Sequence, residues 1–295
     1  MTLTATACGS AASPEPEPEL GSILEVRTAS DIVTPLDAYE PTPEQQRTII
    51  EAHQLLVQKC AQRFSFDVNM PESVSTPDVK HARLFGIVNA EEAASHGYRV
   101  PGMEAPPGAT GPSNTKSATG GWNPSDDEFI VVRGVDRYTG QSKTGKKINS
   151  VPVPDGGCAG EAMRQLGEGG SATAPDLMEL PSRLSSGAHQ SAEKDSRVVA
   201  AFGAWSACMK EAGYEFSNPW EPNDKNWGRQ VTSEEIATAT ADVECRQSTR
   251  LVEIWLAVEV AYQNREMENH AADLSAAKNS FETRLKNAAK ILAGA

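Results

Sequence analysis

The last quarter of the chain carries the clearest pattern of apolar and polar positions. Thr232 is a good helix N-cap, Glu235 completes a capping box, and Glu234 adds negative charge at the positive end of the helix dipole. Ile236, Thr240, Val243 and Gln247 form a mixed face with Ala237 and Ala241 beside it. Leu251, Trp255, Val258 and Tyr262 then recur at helical spacing. From Met267 the stripe is regular. Met267, Ala271, Leu274, Lys278, Phe281, Leu285, Ala288 and Leu292 alternate steps of four and three, the period of a coiled-coil seam, with Lys278 the one break. Glu282 and Lys286 pair on the outside. No Pro or Gly interrupts Arg246 to Ala293, so the pattern predicts a helix of about 15 residues and then one of roughly 40, ~60 Å long. The stripe reads as a seam packed on the chain's own earlier helices. The alternative is a protruding arm whose Met267, Leu274, Phe281, Leu285 and Leu292 bind a partner or a second copy.

Earlier elements are shorter. Thr42-Pro43-Glu44-Gln45 opens a helix that runs to about Phe64, with Ile49, Ala52, Leu56, Cys60 and Phe64 on one face. Asn89 caps a short helix with Glu91 and Glu92 in its first turn and Gly97 at its end. A short helix leads from Cys158 to Leu166. Another builds from Ala192 to Ala212, with Val198, Phe202, Trp205 and Met209 on a stripe and Cys208 beside it. The run Phe129–Val132 is ambiguous between strand and helix. Ile23, Leu24 and Val26 suggest a short extended segment, which Pro35 and Pro41 keep from continuing. Residues 67–80 read as a Pro-rich connector, and 102–127 and 167–190 as mobile loops. The expected fold is all-α and disulfide-stapled: a single helical domain over residues 43–295, preceded over 1–42 by a signal remnant and a disordered Pro/Glu-rich tether.

Composition narrows the function classes. The 295 residues carry a net charge of −13, which argues against nucleic acid and against electrostatic binding to anionic lipid. Aromatics are only 6%, and 23 glycines with 19 prolines imply a thin core and long loops. No run of 18 apolar residues exists to span a membrane. Of five cysteines, Cys60, Cys158, Cys208 and Cys245 lie in the body and Cys8 near the start, which suggests two disulfides and one cysteine with another fate. No C-x-x-C pair supports zinc. Two half-copies are visible: Cys60 to Phe66 and Cys208 to Tyr214 each set a cysteine near a helix end with an aromatic six residues on. That pattern favours Cys60–Cys158 and Cys208–Cys245 among three possible connectivities, without fixing the choice.

Ala5, Thr6 and Ala7 before Cys8 resemble the end of a lipoprotein signal peptide. The charged and apolar regions that belong upstream are missing, as in a truncated start. The stretch Gly9 to Gly21, GSAASPEPEPELG, reads as an extended tether. Cys8 is therefore the expected lipidation site, and the lipid is the only expected contact with the membrane.

Candidate chemistry is sparse. Gly140 to Lys146 has the spacing of a phosphate-binding loop, but Lys147 stands where Ser or Thr belongs and Val151-Pro-Val-Pro154 where a helix must begin. His53, with no acidic or cysteine neighbour at ligand spacing, reads as a surface or packing residue. His81 and His96 with Glu91 could form a hydrolase site, although no nucleophile motif accompanies them. Trp220 and Trp227 in a polar loop could stack on a sugar, or pin the loop to the helices beneath. No metal or cofactor is implied.

Arg83, Phe85, Gly86, Asn89, Ala93, Gly97, Tyr98 and Pro101 form a segment that resembles one in uncharacterised secreted or lipoprotein-type proteins of high-GC Gram-positive bacteria. The segments Gly157–Ala162, Trp205–Met209 and Ala241–Cys245 fit the same resemblance. It implies architecture and compartment, and no activity. The expected function is that of a lipid-anchored envelope protein acting by interaction through the C-terminal helix or the loop around Trp220. A carbohydrate or small-ligand binder and an envelope hydrolase are the alternatives.

Overall fold

The computed structural model describes residues 16–68, 81–101, 122–169, 175–228 and 230–294, so Cys8 and most of the expected 102–127 loop lie outside the described residues. In chain order the described elements are two 3-10 turns (Ala29–Asp31 and Pro35–Tyr39), α1 (Pro43–Gln62), α2 (Ala90–His96), α3 (Asp126–Arg133), β1 (Lys147–Ile148), β2 (Val151–Pro152), α4 (Gly157–Leu166), α5 (Pro175–Glu193), α6 (Ser196–Glu211), α7 (Glu221–Asp224), α8 (Ser233–Ser248), α9 (Leu251–Asn269) and α10 (Ala271–Ala293). The fold is all-α with one small antiparallel hairpin, Lys147 opposite Pro152.

Capping residues start the helices where the sequence places them. Thr42 Oγ1 accepts from Gln45 N at 3.2 Å while Gln45 Oε1 accepts from Thr42 N at 2.9 Å. Asn89 Oδ1 accepts from Glu91 N and Glu92 N. A capping box of Ser125 and Glu128 settles the ambiguous run 129–132 as helix α3, which ends on left-handed Gly134.

Two disulfides staple two regions. Cys60–Cys158 joins α1 to α4, and Cys208–Cys245 joins α6 to α8, both with Cα atoms 5.6 Å apart. These are the pairings the half-copies favour. Around the first staple, Val57, Ala61, Phe64, Val131, Val132 and Ala162 form an apolar core. Around the second, Phe85, Val198, Trp205, Met209, Leu251 and Trp255 form the larger one. α10 joins the two regions, packing on α1 and α4 at one end and on α5 and the Pro35–Tyr39 turn at the other. Leu274 is buried with Leu36, Leu180 and Leu184, with Met267 packed beside them. Farther along, Ala288 is buried with Ala52 and Leu166, and Leu292 packs against that cluster. Phe281 and Leu285 are half-buried between these contacts. α10 thus packs along the body through Leu274 and Ala288 and is not a protruding arm, although Ala271 and Lys278 of the stripe are exposed.

Three expectations are corrected. The expected join after the first helix falls at residues 248–250, and the longer helix beyond it is broken once, at His270, without Pro or Gly. Ser248 Oγ and Thr249 Oγ1 both donate to the Cys245 carbonyl, closing α8, and Arg250 turns the chain at φ +56 before α9. His270, at φ −119 and ψ 22, separates α9 from α10. The 167–190 loop is largely helix α5. Pro181 and the serines around it disguise a stripe of Leu180, Leu184, Ala188 and Ala192, all buried. The 1–42 tether does not extend to residue 42. Leu20 packs on the larger core, and Val26, Ile32 and Leu36 are buried.

Candidate functional site

The polar chemistry of the larger region concentrates along α8 and α9. Asp242 and Arg246 lie four apart on α8, with side chains 0% and 1% exposed. Asp242 Oδ1 accepts from Arg246 Nε at 2.7 Å and from Trp205 Nε1 at 2.8 Å, and Oδ2 accepts from Tyr98 OH at 3.2 Å. Burial, followed by the Asp242 charge, holds the Tyr98 phenol far above its ordinary pKa, so it remains a donor. Arg246 then donates to two loop carbonyls, Phe85 O at 2.6 Å and Pro219 O at 2.8 Å. A Cβ at Gly86 would lie 2.7 Å from the guanidinium, and its φ of +79 also favours glycine there.

Those two carbonyls fix the loops that place Phe85 and Trp220 around His189 on α5. The imidazole stacks on Trp255 with centroids 5.3 Å apart, and Phe85 and Trp220 lie at 5.8 and 6.4 Å. Its Nδ1 is 2.7 Å from Glu259 Oε2, a fully buried carboxylate on α9. Glu259 Oε1 accepts from Gln263 Nε2 at 3.0 Å, and Gln263 Oε1 accepts from Leu36 N at 3.0 Å. On the other side Glu193 Oε1 accepts from Trp220 Nε1 at 2.9 Å and lies 3.9 Å from His189 Nε2. Burial alone would lower the imidazole pKa. The Glu259 hydrogen bond and the charges of Glu259 and Glu193 overcome it, and the pKa is raised. The assembly is a protonatable clasp that joins α5, α9, the Trp220 loop and the Pro35–Tyr39 turn.

The candidates expected from sequence are dispersed. Trp220 meets Trp255 edge-on at 5.3 Å within the core, while Trp227 stacks on Tyr98 at 5.6 Å and donates to Pro222 O. The indoles pin their loop separately and form no shared platform. His81 Nε2 lies 3.0 Å from Asp37 Oδ2, so its carboxylate partner is on the second 3-10 turn and is not Glu91. Glu91 is exposed in the first turn of α2 and His96 half-buried in its last. His53 is half-buried in α1, where burial lowers its pKa. In the Gly140–Lys146 loop, Lys143 pairs with Asp136 and Lys146 with Asp127, and strand β1 follows. That loop is therefore an ion-paired turn.

Sequence reasoning missed His189, Glu259, Asp242 and Arg246. Two of the signals are spacings of four, Asp242–Arg246 and His189–Glu193. The second was hidden because its stretch reads as loop. Among the described residues no helix is long and apolar enough to cross a membrane, and no three His, Cys, Asp or Glu side chains converge as metal ligands. Comparison with family models, curated proteins and solved structures finds no match to this chain.

Proposed function

We propose that this is an extracytoplasmic protein of the cell envelope, lipid-anchored through Cys8, that acts by protein interaction and not by catalysis. The observation that carries the reading is the pair of disulfides, one in each region. Such bonds persist in oxidising compartments and are consistent with an extracytoplasmic location. The anchor rests on the small residues before Cys8. The interaction role is supported by the use of the strongest polar groups as joints between elements. Loop 217–228 is the surface we assign to a partner, an envelope protein or a second copy. Trp220 and Trp227 root it in the body, which holds exposed Asp224, Lys225 and Asn226 in one arrangement.

The test is the intact mass of the protein from its own cells, with and without reductant. The expected species begins at Cys8, carries a diacylglycerol-sized addition and has its other four cysteines oxidised. A chain from Met1 with five free thiols overturns both compartment and anchor. Cross-linking in the envelope then compares the wild type with Lys225→Glu, and unchanged capture by the variant would remove the loop as the contact.

A further inference from the structure

The Pro-Glu stretch before the body is a bound segment over its last residues. Glu17 grips the first turn of α6: Oε1 accepts from Ser196 N at 2.7 Å and Oε2 from Ser196 Oγ at 2.8 Å. Two arginines on different helices read the flanking carbonyls. Arg197 Nη1 donates to Pro18 O at 3.0 Å, and Arg265 Nη1 of α9 donates to Pro16 O at 2.8 Å. Arg265 itself lies over the Tyr262 ring at 4.7 Å, and Arg197 is held by Asp195 at 2.6 Å, so both cations are positioned by the body. Leu20 then inserts beside the larger core.

The ligand chemistry suits this surface. Prolines at 16 and 18 have no N–H, so each offers only its carbonyl, and an arginine donates to each. The same prolines restrict the unbound segment and reduce the ordering cost of docking. The carboxylate sits at the positive end of the α6 dipole with an arginine beside it, at 4.0 Å from Arg197 Nε.

We propose that the first turn of α6, Arg197 and Arg265 form a binding site for an acidic Pro-Glu peptide, which the chain's own Pro16–Leu20 occupies as a releasable latch. Where the chain is anchored through Cys8, the latch also sets the height of the body. Eight residues from Cys8 to Pro16 reach at most about 29 Å, whereas release back to buried Val26 allows about 65 Å.

The experiment uses the full chain with Cys8→Ser, which removes any dependence on the anchor. Glu15 and Glu17 precede proline, so a Glu-specific protease finds Glu19–Leu20 as the first cleavable bond of the stretch. Wild type should be nicked there slowly at low salt, and Glu17→Gln about ten-fold faster. High salt should speed the wild type, because the contact is charged and exposed. A labelled Ser-Pro-Glu-Pro-Glu-Pro-Glu-amide peptide should bind the Glu17→Gln chain, whose latch is weakened, more tightly than it binds the wild type. Arg197→Ala added to Glu17→Gln should abolish that binding. Equal nicking of wild type and Glu17→Gln shows that Glu17 holds nothing and overturns the latch. No more peptide on Glu17→Gln than on wild type overturns the site. Intact mass from native cells bears on the anchor alone, so the two ideas fail separately.

Discussion

The two stapled regions use the same cross-link and different adhesives. Around Cys60–Cys158 the interior is apolar, and charge stays at the rim. Arg63 pairs with Glu161 at 2.6 Å with side chains 49% and 23% exposed, and Lys146 with Asp127 is more open still. Around Cys208–Cys245 a charged pair lies at the centre, with Asp242 and Arg246 holding Trp205, Tyr98 and two loop carbonyls. Apolar packing is non-directional and tolerates small shifts, whereas a buried guanidinium places the backbone it bonds. The second region needs that because two irregular segments, around Phe85 and Pro219, must meet helices at fixed positions.

The largest expected effect contrasts the staples themselves. The loops they close span 98 and 37 residues. In the chain-entropy account, Cys60→Ser with Cys158→Ser lowers stability by about 4.7 kcal/mol and Cys208→Ser with Cys245→Ser by about 3.8 kcal/mol. Urea unfolding of both double variants measures this, and a reversed order would show that the buried network depends on its staple. Asp242→Ala leaves Arg246 buried without its counter-ion and should cost about 3–5 kcal/mol by the same assay.

Proton linkage should separate the regions by sign. His53, in the first, has a lowered pKa because burial favours its neutral form. Its contribution is complete above the unfolded value of about 6.5 and is lost as pH falls towards the folded pKa. His189, in the second, is pushed down by burial but raised overall by Glu259 and Glu193. Its contribution is complete below about 6.5 and is lost as pH rises through the folded pKa. Amide exchange followed between pH 5.5 and pH 8.5 should therefore show α1 gaining protection as α5 loses it. His189→Gln should remove only the second trend. If both helices change in one direction, the contrast fails. The smallest effect belongs to the rim: Glu161→Ala should cost under about 1 kcal/mol in urea unfolding, because its pair is solvent-screened.

Much of the frame was legible because its signals are local. Thr42, Asn89 and Thr232 cap helices through neighbours two or three residues away, and the spacing of Cys60 and Cys208 within similar helices pointed to the observed pairing. In the Met267–Leu292 pattern, Leu274 and Ala288 are buried as seam positions should be, whereas Ala271 and Lys278 are exposed. The join at Arg250 lies a few residues beyond where the pattern places it, and the break at His270 was illegible because no Gly or Pro marks it. Helix α5 was hidden by Pro181, whose penalty is outweighed by the buried leucines on either side of it. The candidate site was largely illegible for a different reason. His189 gains its meaning from Glu259, 70 positions on, and Arg246 from Phe85, 161 positions back. No window along the chain contains such a pair.

The seam on α10 also carries a consequence in time. It closes against Ala52 and Leu166 at one end and Leu36 and Leu184 at the other, and it is synthesised after all of them. A chain emerging from its amino end can oxidise Cys60 with Cys158, and then Cys208 with Cys245, before the strut between the regions exists. During that interval Ile49, Leu56 and Leu166 lack their last partners, and contacts across more than 200 residues are the slowest to form. The staples then act as clamps on the parts that are already made, preserving two half-built regions until the final helix arrives to lock one against the other.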